Sequence, residues 1–306
     1  MAPERLWTPR SYRSSLKNRA ENASKQTGIP ASELVDLHYH RRLLARVFHS
    51  DPDRWVLKGG QALLMRWPTA RYSTDIDLLS AQNTTDAAVE DLIKAASLEL
   101  DDHLRFAHHD TTEQTHVDRP TRSVRFRAMF GNVVLKWVSV DVVVSDYMPR
   151  GDIATEPLEA PFTTECETWP EVRIFPLEDH VAEKLCAMYE RYRADGNPSS
   201  RYKDLVDLVL IALKSPINGP RMHATLQDEI ERRRNRGMVL TFPEAFEVPD
   251  KSWTAGYRSV ASGVRELPAD LRTLAGVQEL ADAFITPLLA AKAPVGSWNP
   301  DTRGWR

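Results

Sequence analysis

Two aspartates one residue apart, Asp75 and Asp77, follow the adjacent glycines Gly59 and Gly60 after an interval that fits one short helix. Alternating apolar and polar residues predict a strand over 72–79, and both aspartates would project from one face of it. Carboxylates bind hard divalent cations, and a glycine turn lets backbone N–H groups approach phosphate oxygens. The pattern indicates a site for a metal ion and a triphosphate. The alternative is an ordinary turn followed by a solvated strand end.

A third acid, Asp141, interrupts the apolar run 138–144, which predicts another strand. A carboxylate inside such a strand would lose its hydration, and a bound cation would offset that cost. Two-metal phosphoryl chemistry places its acids around ions about 4 Å apart. We therefore expect Asp141 to join Asp75 and Asp77 as a ligand of Mg²⁺ or Mn²⁺. The alternative is a polar position on a half-buried edge strand.

The segment 177–208 contains a second group of residues suited to phosphate chemistry. Helical spacing predicts one helix over 179–192 with Lys184 in it, and another over 201–213 with Asp204 in it. A cation fixed on a helix would stabilise the charge that develops on a departing pyrophosphate, and we assign that role to Lys184. Asp204 would either hold Lys184 in an ion pair or position the attacking hydroxyl group.

Other polar residues are candidates for additional contacts. Ser73, just before the two aspartates, and Arg191 could bind phosphate. Arg201 and Lys203 could add phosphate or nucleic-acid contacts. The basic run 232–236 could grip an RNA backbone, although such a run at the end of a helix is most often a solvated terminus favoured by the helix dipole.

The remaining pattern predicts an α+β fold, with a mixed sheet and helices over residues 1–172 and a mainly helical domain over 173–306. Strand patterns occur at 56–57, 72–79, 104–108, 123–130, 133–145 and 171–175. Helical patterns occur at 11–27, 32–49, 61–66, 86–100, 179–192, 201–213, 221–236, 253–264 and 271–291. We expect a turn over 195–200, a long connection over 149–170 and a loose tail from residue 294.

Composition narrows the class of protein. The chain has 306 residues, 42% of them hydrophobic, which is ample for a buried core. Its start is basic and broken by proline, and it has no apolar run long enough to span a membrane, so we expect a cytoplasmic protein without membrane contact. The two cysteines and the scattered histidines indicate neither disulfides nor zinc. A net charge of −3 gives no overall basic character of the kind that favours nucleic acids.

The order of the motifs resembles one family. L-K-G-G-x-A-L, R-x-S-T-D-I-D, V-D-V, E-D-H-V-A-E-K-L-x-A and S-R-Y-K-D-L-V-D-L are similar to the AbiEii/MenT family of nucleotidyltransferase toxins of bacterial type IV toxin–antitoxin systems. That family lies within the DNA polymerase β-like nucleotidyltransferase superfamily. The similarity includes the late P-x-x-x-W-x-x-x-Y element at Trp253 and Tyr257, which we expect to be core residues, and it covers nearly the whole chain.

The resemblance implies a polymerase β-like domain followed by a helical domain. It also implies transfer of a nucleotide, a pyrimidine, from a nucleoside triphosphate to the 3′ end of tRNA, which blocks aminoacylation and translation. An antitoxin is the implied partner. The family's functional positions fall on Gly59, Gly60, Asp75, Asp77, Lys184 and Asp204, with Asp141 a further acid.

One departure concerns Gln61, which stands where the wider superfamily often has serine. A hydroxyl contact to phosphate is therefore missing there, and Ser73 could replace it. Two other functions remain open on the sequence: transfer of a nucleotide to a small molecule or protein, and non-catalytic binding of a nucleotide or an antitoxin. The combination of Asp75, Asp77, Lys184 and Asp204 argues against the second, because a binding module has no need of all four.

Overall fold

The computed structural model describes residues 7–114, 120–145, 148–166, 168–191 and 199–306. The chain divides into two compact units. Unit 1 comprises Met1–Met65, Ser73–Tyr147 and Ala154–Ile174, and unit 2 comprises Arg66–Tyr72, Met148–Ile153 and Phe175–Arg306. The predicted domain boundary after residue 172 stays a prediction, and most of the predicted turn over 195–200 lies outside the described residues.

Unit 1 is built on a seven-stranded mixed sheet in the order β3-β4-β5-β2-β1-β7-β6. Its strands are β1 (Trp55–Lys58), β2 (Ile76–Ser80), β3 (Arg105–Glu113), β4 (Thr121–Phe130), β5 (Val133–Val144), β6 (Ala154–Pro157) and β7 (Glu171–Ile174). Its helices are α1 (Pro9–Thr27), α2 (Ala31–Ser50), α3 (Gly59–Arg66), whose last residue belongs to unit 2, and α4 (Thr85–Ala96). The predicted mixed sheet with helices is confirmed.

Alternation along β4 and β5 gives this part of the sheet two different faces. The buried positions carry Val124, Phe126, Ala128, Val138, Val140 and Val142, which join the core that includes α2. The intervening positions carry Ser123, Arg125, Arg127, Trp137, Ser139 and Asp141. Successive side chains of a strand point to opposite faces, so this second set shares the open face of the sheet.

A buried cluster of charges anchors α2 to the loop before β3. Asp102 accepts hydrogen bonds from Nε of Arg42 at 2.5 Å and from Nη1 of Arg46 at 2.7 Å. All three side chains are fully buried. Burial alone would raise the pKa of the Asp102 carboxyl group, but Arg46 and Arg42 outweigh it and lower the pKa to about 2.

We expect Asp102→Asn to lower the free energy of unfolding at pH 7 by about 3–5 kcal/mol, because two guanidinium groups lose their buried counter-ion. The folded pKa of Asp102 lies below its ordinary value of 3.8, so its contribution is complete above about pH 4 and is lost as the pH falls through about 2. Urea titrations from pH 7 to pH 2 should therefore show a flatter acid slope for Asp102→Asn. Exposed Asp301→Asn serves as the control. Equal slopes for wild type and Asp102→Asn would contradict this.

Unit 2 is mainly helical. Its helices are α5 (Leu177–Tyr189), α6 (Tyr202–Lys214), α7 (Gly219–Asn235), α8 (Trp253–Ser262) and α9 (Leu274–Leu289), with a 3-10 helix over Ala269–Arg272. Two small sheets accompany them: β8 (Glu190–Arg191) with β10 (Val239–Leu240), and β9 (Ile217–Asn218) with β11 (Ser297–Asn299) and β12 (Gly304–Trp305). Trp253 and Tyr257 are buried core residues, as predicted. No helix among the described ranges is both long and apolar enough to cross a membrane.

Two predictions about irregular segments were wrong. The end of the chain is not a loose tail, because β11 pairs with both β9 and β12. Trp298 is fully buried there, packs against Phe284 and donates from Nε1 to the carbonyl oxygen of Ala212 at 2.7 Å. The connection over 149–170 contains β6, which pairs with β7 and extends the sheet of unit 1.

Candidate active site

The carboxylates of Asp77 and Asp141 lie on adjacent strands. In the parallel pairing of β2 with β5, Asp77 is directly opposite Asp141. Neighbouring strands lie about 4.8 Å apart, so side chains at paired positions share one face of the sheet. The residues on either side of the two aspartates are buried and apolar, which fixes this register. We refer to Asp77 and Asp141 as the carboxylate pair.

Gly59 lies against one member of the carboxylate pair. The predicted turn at Gly59 and Gly60 is in fact the start of α3, and β1 leads directly into that helix. Gly59 has φ +61°, a left-handed conformation that favours glycine. A Cβ atom at Gly59 would lie 1.8 Å from Oδ2 of Asp77. Only glycine therefore satisfies both the backbone and the space that the Asp77 carboxylate occupies.

We expect Gly59→Ala to abolish most of the nucleotide transfer that the resemblance implies, because its methyl group would displace the Asp77 carboxylate. Gly237→Ala is a matched control, since Gly237 also has a positive φ, +81°, but a Cβ atom there meets nothing within 4 Å. Both variants should lose about 1–2 kcal/mol of stability from left-handed strain. Activity assays and thermal unfolding of the two proteins test this. Similar activity in both variants would show that the contact with Asp77 is unimportant.

The backbone before β2 is held by side chains and not by a neighbouring strand. Nε2 of Gln61 lies 2.9 Å from the carbonyl oxygen of Ser73 and 2.9 Å from Nδ1 of His40. The hydroxyl group of Ser73 donates to the carbonyl oxygen of Asp75 at 3.4 Å. The predicted strand over 72–79 was therefore wrong in its first half, because β2 begins only at Ile76. Gln61, which departs from the superfamily pattern, supports the segment that carries Ser73.

Asp75 lies outside the carboxylate pair. Its side chain is exposed and accepts a hydrogen bond from Oγ1 of Thr74 at 2.9 Å. Among the residues that the structure describes, no group of three or more His, Cys, Asp or Glu side chains has the spacing of a metal site. The structure thus brings Asp77 and Asp141 together and leaves Asp75 two residues upstream on the approach to the same strand.

Lys184 of α5 lies in a network of charges within unit 2 whose lysine and two carboxylates are buried. Its Nζ atom donates to Oδ1 of Asp204 at 2.9 Å and to Oδ2 of Asp207 at 2.6 Å. Arg71 donates two parallel hydrogen bonds to Asp207, each of 2.9 Å, and Nε of Arg201 donates to Asp204 at 2.7 Å. We call these five residues the lysine cluster. Its three cations and two carboxylates leave one net positive charge.

Lys184 and Asp204 keep their charges at neutral pH. Burial opposes the charged form of Lys184, but the carboxylates of Asp204 and Asp207 outweigh it and raise the pKa of Lys184. Burial also disfavours the charged form of Asp204, but Lys184 and Arg201 outweigh it and lower the pKa of Asp204 to about 2. Lys184 therefore keeps its proton, and its ammonium group is held in a fixed direction.

Sequence reasoning missed two members of the lysine cluster. Helical spacing predicts that Asp207 lies near Asp204 on the surface of the helix, whereas Asp207 is 0% and Asp204 is 4% exposed. An acid among the apolar residues of α6 needs a buried partner, and that requirement was the available signal. Arg71 belongs to the R-x-S-T-D-I-D motif, but it received no role. Its partner Asp207 lies 136 residues further along the chain.

The other basic candidates are distributed within unit 2. Arg191 is half-buried in β8, where it pairs with Val239 of β10. In the run 232–236, Arg233 donates to Glu229 at 2.8 Å and to Glu190 at 2.7 Å, and Arg232 donates to Glu229 at 2.5 Å. Part of this run therefore stabilises unit 2 through ion pairs.

Comparison with known families identifies the class of enzyme. The family model of the nucleotidyltransferase AbiEii toxin of type IV toxin–antitoxin systems matches residues 42–284. The chain belongs to this family and is a nucleotidyltransferase. Membership implies a nucleoside triphosphate substrate, a divalent metal ion and an antitoxin partner.

Two solved structures are similar to this chain. The nucleotidyltransferase toxin MenT4 of Mycobacterium tuberculosis is 18% identical, with a TM-score of 0.46, and the match covers 90% of this chain and 97% of that one. JHP933 from Helicobacter pylori is also 18% identical, with a TM-score of 0.38, and the match covers 63% of this chain and 73% of that one. At these values the likeness carries no argument about function. A search of curated proteins finds no match.

Proposed function

We propose that this nucleotidyltransferase toxin transfers a pyrimidine nucleotide from a nucleoside triphosphate to the 3′ end of tRNA, which blocks aminoacylation and translation. The observation that supports the chemistry best is the carboxylate pair, placed side by side on β2 and β5 and directly against the glycine that opens α3. The choice of tRNA and of a pyrimidine is supported by the resemblance of the motifs to the AbiEii/MenT family.

The carboxylate pair has the donor type that Mg²⁺ or Mn²⁺ prefers. Asp77 and Asp141 would hold the ion, and Asp75 would complete the set from its exposed position two residues upstream of Asp77. When bound, the ion polarises the triphosphate and offsets the charge on the leaving pyrophosphate. Because Gly59 has no side chain, the Asp77 carboxylate can lie on the face of the sheet where the ion would bind.

The remaining site residues are assigned to the triphosphate. Gly59 and Gly60, at the start of α3, are assigned to phosphate binding, because the positive end of a helix dipole favours anions. Ser73 and Arg191 are assigned further phosphate contacts. Lys184, oriented by Asp204, would stabilise the pyrophosphate, because its raised pKa keeps its ammonium group charged near neutral pH.

A labelling experiment tests this function. Purified protein is incubated with Mg²⁺, total tRNA and each of the four nucleoside triphosphates labelled at the α-phosphate. We expect label in tRNA with a pyrimidine triphosphate, none when the 3′ hydroxyl groups are first destroyed by periodate, and a loss of aminoacylation of the modified tRNA. Label in a protein or a small molecule would show that the acceptor is wrong. No label with any of the four nucleotides would exclude the proposed reaction.

A further inference from the structure

The open face of β3, β4 and β5 carries an exposed tryptophan, Trp137, in contact with the side chains of Arg125 and His109. The side chain of Trp137 is 43% exposed, and it is the one aromatic residue among the large exposed hydrophobic residues that the structure describes. The guanidinium group of Arg125 lies 4.9 Å from the centre of the Trp137 ring, and the His109 ring meets it edge-on at 4.8 Å. A large ring held in place by its neighbours and open to solvent is suited to stacking on a ligand.

Positive charge surrounds this ring. Arg127 pairs directly with Trp137 across β4 and β5, and its Nε atom is buried with no hydrogen-bond partner among the described residues. Arg105 is exposed on β3. One acid competes, since Asp110 lies 3.5 Å from Arg125 and 3.4 Å from His109, and one of its carboxylate oxygens is buried. The surface therefore combines an aromatic ring with two exposed arginines, Arg105 and Arg125.

The same face continues to the carboxylate pair. Trp137 and Asp141 are both on β5, four residues apart, which corresponds to about 13 Å at about 3.3 Å per residue. Ser139 lies between them, with Arg125 paired opposite to it, and Ser123 is paired opposite to Asp141. No bulky apolar side chain occupies these intermediate positions, so a polar path leads from the ring to the acids.

We propose that Trp137, Arg125, Arg127, Arg105 and His109, here called the Trp137 platform, bind the single-stranded 3′ segment of the RNA acceptor. A base would stack on Trp137 while the arginines hold phosphates, and the terminal hydroxyl group would reach the carboxylate pair. We infer this on the basis of the proposed function. A stacked strand rises about 3.4 Å per nucleotide, so about 13 Å corresponds to roughly four nucleotides.

RNA fits this surface better than a protein partner does. Bases stack on exposed aromatic side chains irrespective of sequence, and arginines supply both phosphate contacts and cation–π contacts. A protein interface instead has an apolar core in which charged residues are depleted. The Trp137 platform has one exposed ring surrounded by cations, and it is continuous with the acids to which the acceptor must come.

The test compares Trp137→Ala, Trp137→Tyr and the double variant Arg125→Ala/Arg127→Ala with wild type. Binding of fluorescent tRNA is measured without nucleotide at several salt concentrations, and KM is measured separately for tRNA and for the nucleoside triphosphate.

Trp137→Ala should weaken tRNA binding about tenfold, since stacking contributes on this scale, and Trp137→Tyr should retain most of the wild-type affinity. The double arginine variant should lower the salt slope by about two. KM for the nucleotide should not change, and exposed Arg258→Ala is the control.

Two results would overturn the assignment of the Trp137 platform. If Trp137→Ala binds tRNA like wild type while wild type still labels tRNA, the platform is wrong and the proposed function stands. If Trp137→Ala instead loses self-association or binding of an antitoxin, the surface is a protein interface. Absence of labelled tRNA with the wild-type enzyme would count against the proposed function, whereas the binding measurement without nucleotide still decides the role of Trp137.

Discussion

Asp77→Asn is expected to lower the rate of nucleotide transfer by about a thousandfold, while the protein remains folded. Asparagine has the size and shape of aspartate, so the contact with Gly59 and the register with β5 should persist. The change removes one of the two negative charges that lie side by side on β2 and β5. The loss should therefore be in kcat and not in stability.

Single-turnover transfer with saturating Mg²⁺, together with thermal unfolding, provides the measurement. Asp75→Asn is an informative partner, because it makes the same chemical change at an exposed acid two residues away. A comparable loss in that variant would indicate that Asp75 turns toward the carboxylate pair when the substrate binds. A rate for Asp77→Asn within about tenfold of wild type would contradict the proposal that the carboxylate pair holds the metal ion.

Lys184→Ala is expected to lower both stability and activity. It leaves the buried carboxylates of Asp204 and Asp207 without their shared partner, which should cost about 3–5 kcal/mol and about 10 °C in Tm. The raised pKa of Lys184 means that its contribution is present below its unfolded pKa and is lost only at strongly alkaline pH. The contribution of Asp204 is lost as the pH falls from about 4 through about 2. Between these limits the difference between Lys184→Ala and wild type should be nearly constant.

A double variant separates the structural role of Lys184 from its chemical role. Lys184→Met with Asp204→Asn removes one charge of each sign, and Asp207 keeps its two hydrogen bonds from Arg71. Well-packed neutral side chains often replace a buried ion pair without loss of stability. We expect the double variant to regain most of the lost Tm but not the transfer activity. Recovery of activity together with stability would show that the charge of Lys184 takes no part in the reaction.

Local signals predicted most of the fold. The apolar spacing of α2 and the strand patterns at 123–130 and 133–145 depend on residues close in sequence, and these elements are present where expected. Alternation also places Asp77 and Asp141 each on the polar side of its own strand, whereas the pairing of β2 with β5 that brings them together comes from the structure. The sequence also supplied Lys184 and Asp204, which the structure joins in one ion pair.

The missed features depend on residues distant in sequence. Residues 72–75 alternate like a strand, but the hydrogen bond from Gln61 to Ser73 holds this segment outside the sheet. The tail looked irregular because its partner strand β9 is about 80 residues away. The contact between Arg71 and Asp207 spans even more of the chain. Periodicity within a short window carries no information about such pairings.

The position of β2 between β1 and β5 has a consequence for how reliably the enzyme assembles. Its pairing is antiparallel on one side, where Lys58 is opposite Asp77, and parallel on the other, where Asp141 is opposite Asp77. A register shift of β2 by one residue would bring leucine or isoleucine to the face of the carboxylate pair and push a carboxylate into the apolar interior. Both flanking strands would have to tolerate that shift at once, so the pairing on two sides of β2 fixes the position of the Asp77 carboxylate.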